Sequence, residues 1–218
     1  MIVQIYEVTN PEEAKQLVKI GVDYIGILVG TGKFPRELTF EEAKKIFKVL
    51  PKTAKGVVLT LGWKMEEITK LVEEIKPDIL HIGTFLENFL LKDVQELKNL
   101  FPDLKIMRAI PVVDEEIIKI AKSYDGVADY LLLDTYKKGD CGIGATGNIH
   151  DWNISQKIVK AVKIPVILAG GLGPDNVAEA IKKVRPAGVN SKTKTDRING
   201  EGKDLEKVKE FVKIAKGF

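Results

Sequence analysis

With 218 residues and a formal net charge of +3, the chain has room for one large domain or two small ones, and its mixed charges lack the basic footprint of a nucleic-acid binder. No apolar run is long enough to cross a membrane, and the N-terminus lacks the basic and apolar segments of a secretory leader, so a cytoplasmic protein is expected. The single cysteine, Cys141, excludes an internal disulfide framework, and abundant lysine and glutamate with little arginine lean toward a thermophilic source.

The first strand is predicted over residues 2–8 (IVQIYEV). Asn10 and Pro11 then open a helix that runs to Ile20 and closes at Gly21. Residues 23–29 read as the second strand and 30–36 as a loop. Thr39, with Glu42 three residues on, caps a helix to residue 50. Strands follow at 54–60, 78–82 and 104–110, with helices at 64–75, 88–100 and 114–123. The sixth strand, 129–134, is an apolar run ending in Asp134. The passage from there to His150 is the longest loop, and loops of that length are usually functional or mobile. A helix at 155–162, a strand at 166–169, a helix at 174–184, a short strand at 188–191 and a last helix at 205–215 complete the chain.

Eight strands alternating with eight helices, in units of roughly 25 residues and without a composition break, predict an α/β protein of one domain over 1–218, a closed (β/α)8 TIM barrel. In such a barrel the carboxyl ends of all eight strands ring one mouth, and function collects there. The mouth residues are then Tyr6 and Glu7 after strand 1, Arg36 in the loop after strand 2, His81 on strand 4, Arg108 on strand 5, Asp134 on strand 6, Gly170 and Gly171 after strand 7, and Asn190, Ser191, Lys192 and Thr193 on and after strand 8. Burial at the end of an apolar strand raises a carboxyl toward the range of a general acid, which suits Asp134, although a helix cap or a salt-bridge partner would look the same. The glycine pair permits close approach to an anion, with the next helix aiming N–H groups at it. Arg36 is either a fork for a carboxylate or phosphate, or a solvated loop residue. His81 is a wedge in the mouth or a spacer, and His150 reads as a helix-start residue. No cluster has metal-ligand spacing, so no metal and no cofactor are expected.

The series LLLDT, GATGNIHDW, ILAGGLGPDNVAEAI, VRPAGV and GKDLEKVKEFV, with FPR in loop 2 and VTN after strand 1, resembles the phosphoribosylanthranilate isomerase family of tryptophan biosynthesis over essentially the whole chain. The resemblance implies an Amadori rearrangement of a phosphorylated sugar. It implies Asp134 as the general acid, Arg36 as the holder of the anthranilate carboxylate, and Gly170 and Gly171 at the phosphate. The chain also departs from the family. In QIYEVTN, Tyr6 stands at the catalytic cysteine and Glu7 at a glycine. Gln4 stands at a lysine and Asn148 at another. Asn190 replaces an aspartate, and Lys192 and Lys194 lie where small residues are usual. A tyrosine with a pKa near 10 is a poor base at neutral pH. Glu7 therefore ranks first as the base, then Cys141, then Tyr6.

Three readings follow. The chain is an isomerase of this type with a changed aglycone, or a genuine phosphoribosylanthranilate isomerase with a substitute base, or a non-catalytic phosphosugar-binding barrel. Its expected partner is a phosphorylated small molecule. Monomer and homodimer are both open, with Phe85, Phe89 and Leu90 as candidate exposed apolar residues.

Overall fold

The fold is taken from a computed structural model, which describes residues 1–136, 142–144 and 147–218. Eight parallel strands close on themselves in sequence order: β1 (Ile2–Ile5), β2 (Tyr24–Leu28), β3 (Lys55–Thr60), β4 (Ile79–Ile82), β5 (Lys105–Pro111), β6 (Tyr130–Asp134), β7 (Val166–Leu168) and β8 (Gly188–Ser191). The seam pairs β1 with β8, placing Gln4 beside Asn190. Outside the barrel lie α1 (Pro11–Ile20), α2 (Phe40–Lys48), α3 (Met65–Ile75), α4 (Leu91–Leu100), α5 (Ile117–Ser123), α6 (Trp152–Ala161), α7 (Val177–Val184) and α8 (Leu205–Lys216). A short 3₁₀ turn, Thr193–Thr195, follows β8. The TIM barrel expected from the sequence is the fold observed.

The local signals explain the helix ends. The Asn10 side chain accepts from the Glu13 amide with Pro11 in the first turn, and Gly21 closes α1 with a φ of 107°. Thr39 and Glu42 form the reciprocal capping box that starts α2. Helix α6 begins three residues earlier than expected, because Asp151 caps it by accepting from the Asn153 amide.

Strand alternation sorts side chains into two cores. Between sheet and helices pack Val3, Ile5, Ile25, Ile27, Val58, Leu80, Ile106, Leu131, Leu133 and Val189 with the apolar faces of the helices. Inside the barrel sit Ile2, Tyr24, Val57, Ile79, Met107, Leu132 and Ile167, and above them Tyr6, Leu59 and Ala169. Because Met107 faces inward, Arg108 faces out. It is fully buried and donates to the carbonyls of Ile82 at 2.7 Å and Thr84 at 2.8 Å. Arg108 thus pins the chain after β4 and is not a mouth residue, contrary to the sequence expectation. Phe89 is likewise core, with its carbonyl beside the Arg108 guanidinium, whereas Leu90 is exposed.

Candidate active site

Strand β1 ends at Ile5, earlier than its sequence suggests, because Glu7 takes a left-handed backbone with φ of 58°. A residue other than glycine held there costs on the order of 1–3 kcal/mol. The turn carries the Glu7 carboxylate to within 3.2 Å of Lys192 Nζ and 3.8 Å of an Arg36 nitrogen. Both ion pairs are largely shielded from water.

Tyr6 points into the barrel. A Cβ on Gly26 would sit 2.3 Å from the Tyr6 ring, so the glycine on β2 makes room for it. The Tyr6 hydroxyl lies in hydrogen-bond contact with His81 Nδ1 at 2.7 Å, and both residues are buried. Burial, and secondarily the charge of Arg108, pushes the imidazole down to about 3, so His81 is neutral. Burial also pushes the Tyr6 phenol well above its usual range; the neighbouring Gln4 side chain opposes the rise and the charge of Asp134 adds to it. The two form an uncharged pair. Nε2 of His81 and Oδ1 of Asn190 are buried without a partner among the described residues.

Asp134 closes β6 at the mouth. Its Oδ1 accepts from the Thr135 amide at 2.7 Å and the Thr135 hydroxyl at 3.3 Å. Burial outweighs these bonds and pushes the carboxyl up to about 6. The following loop returns over it: Gly144 donates to the Thr135 carbonyl, and a Cβ on Gly144 would lie 2.3 Å from Asp134 Oδ2. Cys141 lies outside the described residues.

Gly170 and Gly171 both have positive φ, 80° and 61°. A Cβ on Gly171 would meet the Asn148 and Gly147 backbone at 2.8 Å, and one on Gly170 would meet the His150 ring at 2.7 Å. The glycine pair therefore lets the end of loop 6 pass directly over loop 7. His150 is half-buried beneath, its Nε2 2.8 Å from the Ser155 hydroxyl, and desolvation pushes it down to about 4. Helix α7 starts only at Val177. Between it and the pair, Gly173 donates to the Asn176 side chain, so the helix end does not follow the glycines directly as expected.

A cavity of about 30 Å³ joins these pieces, lined by Asp134, Gly147, the glycine pair and residues from Asn190 to Lys194. Of the sequence candidates, Asp134, Gly170, Gly171, Asn190, Ser191, Lys192 and Thr193 meet here. The Ser191 hydroxyl donates to the Leu172 carbonyl at 2.6 Å, so it ties loop 8 to loop 7. Arg36 reaches the mouth by a different route, again with a positive φ of 61°. Its guanidinium donates to Asp196 Oδ1 at 3.0 Å and to the Gly200 carbonyl. Sequence reading missed Asp196 and its second partner, the fully buried Lys203, 2.6 Å away. Among the described residues no group of three or more His, Cys, Asp or Glu could hold a metal, and no helix is long and apolar enough to cross a membrane.

The model of the N-(5'-phosphoribosyl)anthranilate isomerase family matches residues 3–214. The chain belongs to that family. A protein of this name from Methanocella arvoryzae is 36% identical over 211 residues, covering 96% of this chain and 95% of its own. The solved isomerase of Pyrococcus furiosus superposes with a TM-score of 0.80 at 28% identity, over all of both chains. Another, at TM-score 0.78 and 25% identity over all of both chains, was solved with reduced 1-(o-carboxyphenylamino)-1-deoxyribulose 5-phosphate.

Proposed function

We propose that the chain catalyses the Amadori-type aldose–ketose isomerisation of an N-substituted phosphoribosylamine, phosphoribosylanthranilate being the substrate for which its relatives are named. The observation that carries the reading is Asp134: a carboxyl raised to about 6 at a strand end, sharing one cavity with the two left-handed glycines, in a family member matched along nearly its full length. A pKa near the working pH suits a general acid.

In this reading Asp134 protonates the ring oxygen, and the C1–O bond breaks to leave an iminium at C1. Removal of the C2 proton then gives an enaminol, which tautomerises to the aminoketose, so no oxidant or cofactor is needed. The phosphate sits by Gly170 and Gly171 with Lys192 alongside. Asn190, whose Oδ1 is buried without a partner among the described residues, lines the same cavity. Glu7 is the base, its carboxylate kept beside two cations. Tyr6, protonated and bonded to His81, is a fixture of the wall rather than the base. Cys141 is the competing base.

The test is a fluorescence assay with phosphoribosylanthranilate on wild type, Asp134→Asn, Glu7→Gln and Cys141→Ser. Turnover that falls about 10²–10⁴-fold in Asp134→Asn and in one base variant supports the reading. Turnover unchanged by Asp134→Asn overturns it. A wild type that binds the phosphosugar and turns over none of several amines supports the non-catalytic alternative.

A further inference from the structure

The cations at the mouth are already answered by the protein's own carboxylates. Glu7 lies between Lys192 and Arg36, at 3.2 and 3.8 Å. Arg36 is also 3.0 Å from Asp196 Oδ1, and the same oxygen is 2.6 Å from the buried Lys203. The Lys203 ammonium donates in addition to the Lys192 carbonyl, and its backbone amide donates to Glu13. Three cations and two carboxylates thus join the end of β1, the β2–α2 loop and the β8–α8 loop. No side chain among them is more than 28% exposed, so water screens them weakly.

The network contributes residues to two cavities. Lys192 lines the small one that holds Asp134 and the glycine pair. Arg36 and Lys203 line a larger one of about 480 Å³, walled also by Thr9, Glu13 and Gly202. A ligand anchored by phosphate at the glycines lies beside Lys192, whose ammonium is 3.2 Å from the Glu7 carboxylate. The network's single excess positive charge suits the phosphate. A second anion on the ligand would meet Glu7 and Asp196, with Arg36 already engaged. The other cation on that wall, Arg197, is exposed and shares the wall with Glu12 and Glu201.

We infer that Glu7 and Asp196 set the choice of amine: the site prefers a phosphosugar amine with an uncharged N-substituent over one bearing a carboxylate, such as the carboxyphenyl group in the ligand of the relative described above. The proposal rests on the isomerase reading for turnover, but not for binding.

The test is titration calorimetry of the full chain with two reduced product analogues, 1-phenylamino- and 1-(2-carboxyphenylamino)-1-deoxyribulose 5-phosphate. The expected result is tenfold or more tighter binding of the phenyl analogue by wild type. Glu7→Gln should shift the ratio of the two affinities toward the carboxyphenyl analogue by a further tenfold or so. Asp196→Asn, which removes one of the two carboxylates paired with Arg36, should shift it the same way and serves if the first variant fails to fold. Wild-type preference for the carboxyphenyl analogue, equal affinities, or a ratio unmoved in both variants overturns the proposal. A parallel turnover assay supplies ribose 5-phosphate with aniline or with anthranilate. Selective binding without ketose formation from either amine sinks the isomerase reading and leaves the selectivity standing. Turnover with no selectivity does the reverse, and failure of both analogues to bind overturns both.

Discussion

Replacing Asp134 with asparagine should stabilise the protein at neutral pH while slowing its chemistry about 10²–10⁴-fold. In the folded chain the carboxyl sits at about 6, against an ordinary value of 3.8. The folded state therefore holds a proton that the unfolded state releases between those two values, and stability from this group is present in full below pH 3.8 and lost as pH rises through 6. At about 1.4 kcal/mol per unit, the difference corresponds to roughly 3 kcal/mol of destabilisation above pH 6, less some screening by the exposed edge of the residue. An asparagine keeps the acceptor that Thr135 bonds and removes the charge. Asp134→Asn should then melt about 4–10 °C above wild type at pH 8, by the usual scaling for a chain of this size, with the gap closing toward pH 4. Calorimetry or circular dichroism at both pH values reads it. An equal or lower melting temperature at pH 8, or a gap independent of pH, would mean that the carboxyl is not held in a desolvated place, and the argument for its acid role would lose its physical basis. On the kinetic side, kcat/KM of wild type should fall as pH rises through about 6, because the acid must arrive protonated.

Tyr6→Phe removes the hydroxyl facing His81 and leaves both imidazole nitrogens without a partner among the described residues, at a cost of about 1–3 kcal/mol in urea unfolding. Turnover of folded enzyme should stay within about tenfold, and a loss of 10²-fold or more would instead make Tyr6 a proton carrier. Gly171→Ala should cost roughly 1–3 kcal/mol, since it combines a left-handed φ with a Cβ 2.8 Å from the Asn148 backbone, and it should weaken inorganic phosphate binding by titration. Arg108→Met should destabilise by about 2–4 kcal/mol, stranding the Ile82 and Thr84 carbonyls, with phosphosugar affinity of the folded fraction unchanged. A drop in affinity at equal stability would return Arg108 to the mouth.

The barrel and its order of elements were legible because apolar periodicity is a local property. Each strand and helix declares itself within a dozen residues, and caps such as Thr39 with Glu42 mark the ends within four. The strand ends that face the ligand were legible as a set, since closing eight parallel strands must bring them to one rim. What failed was parity and turn geometry. Arg108 was placed at the mouth, although its neighbour Met107 takes the inward position. The first strand was drawn through Glu7 because nothing in its own residues announces a left-handed φ. The one hint was that the resemblance puts a glycine there.

The charge network was illegible for a deeper reason. Glu13 meets Lys203 across 190 positions, and Arg36 meets Asp196 across 160. No local pattern encodes such pairs, because they exist only once β1 has closed against β8. Apolar packing tolerates exchange among residues of similar size, so it leaves a repetitive and readable trace. A buried ion pair tolerates almost none, since losing one partner strands the other. The part of this protein that sequence reading could not see is therefore the part least free to change one residue at a time. A new aglycone would then call for coupled changes at Glu7, Arg36, Lys192 and Asp196, while the barrel beneath stayed as it is.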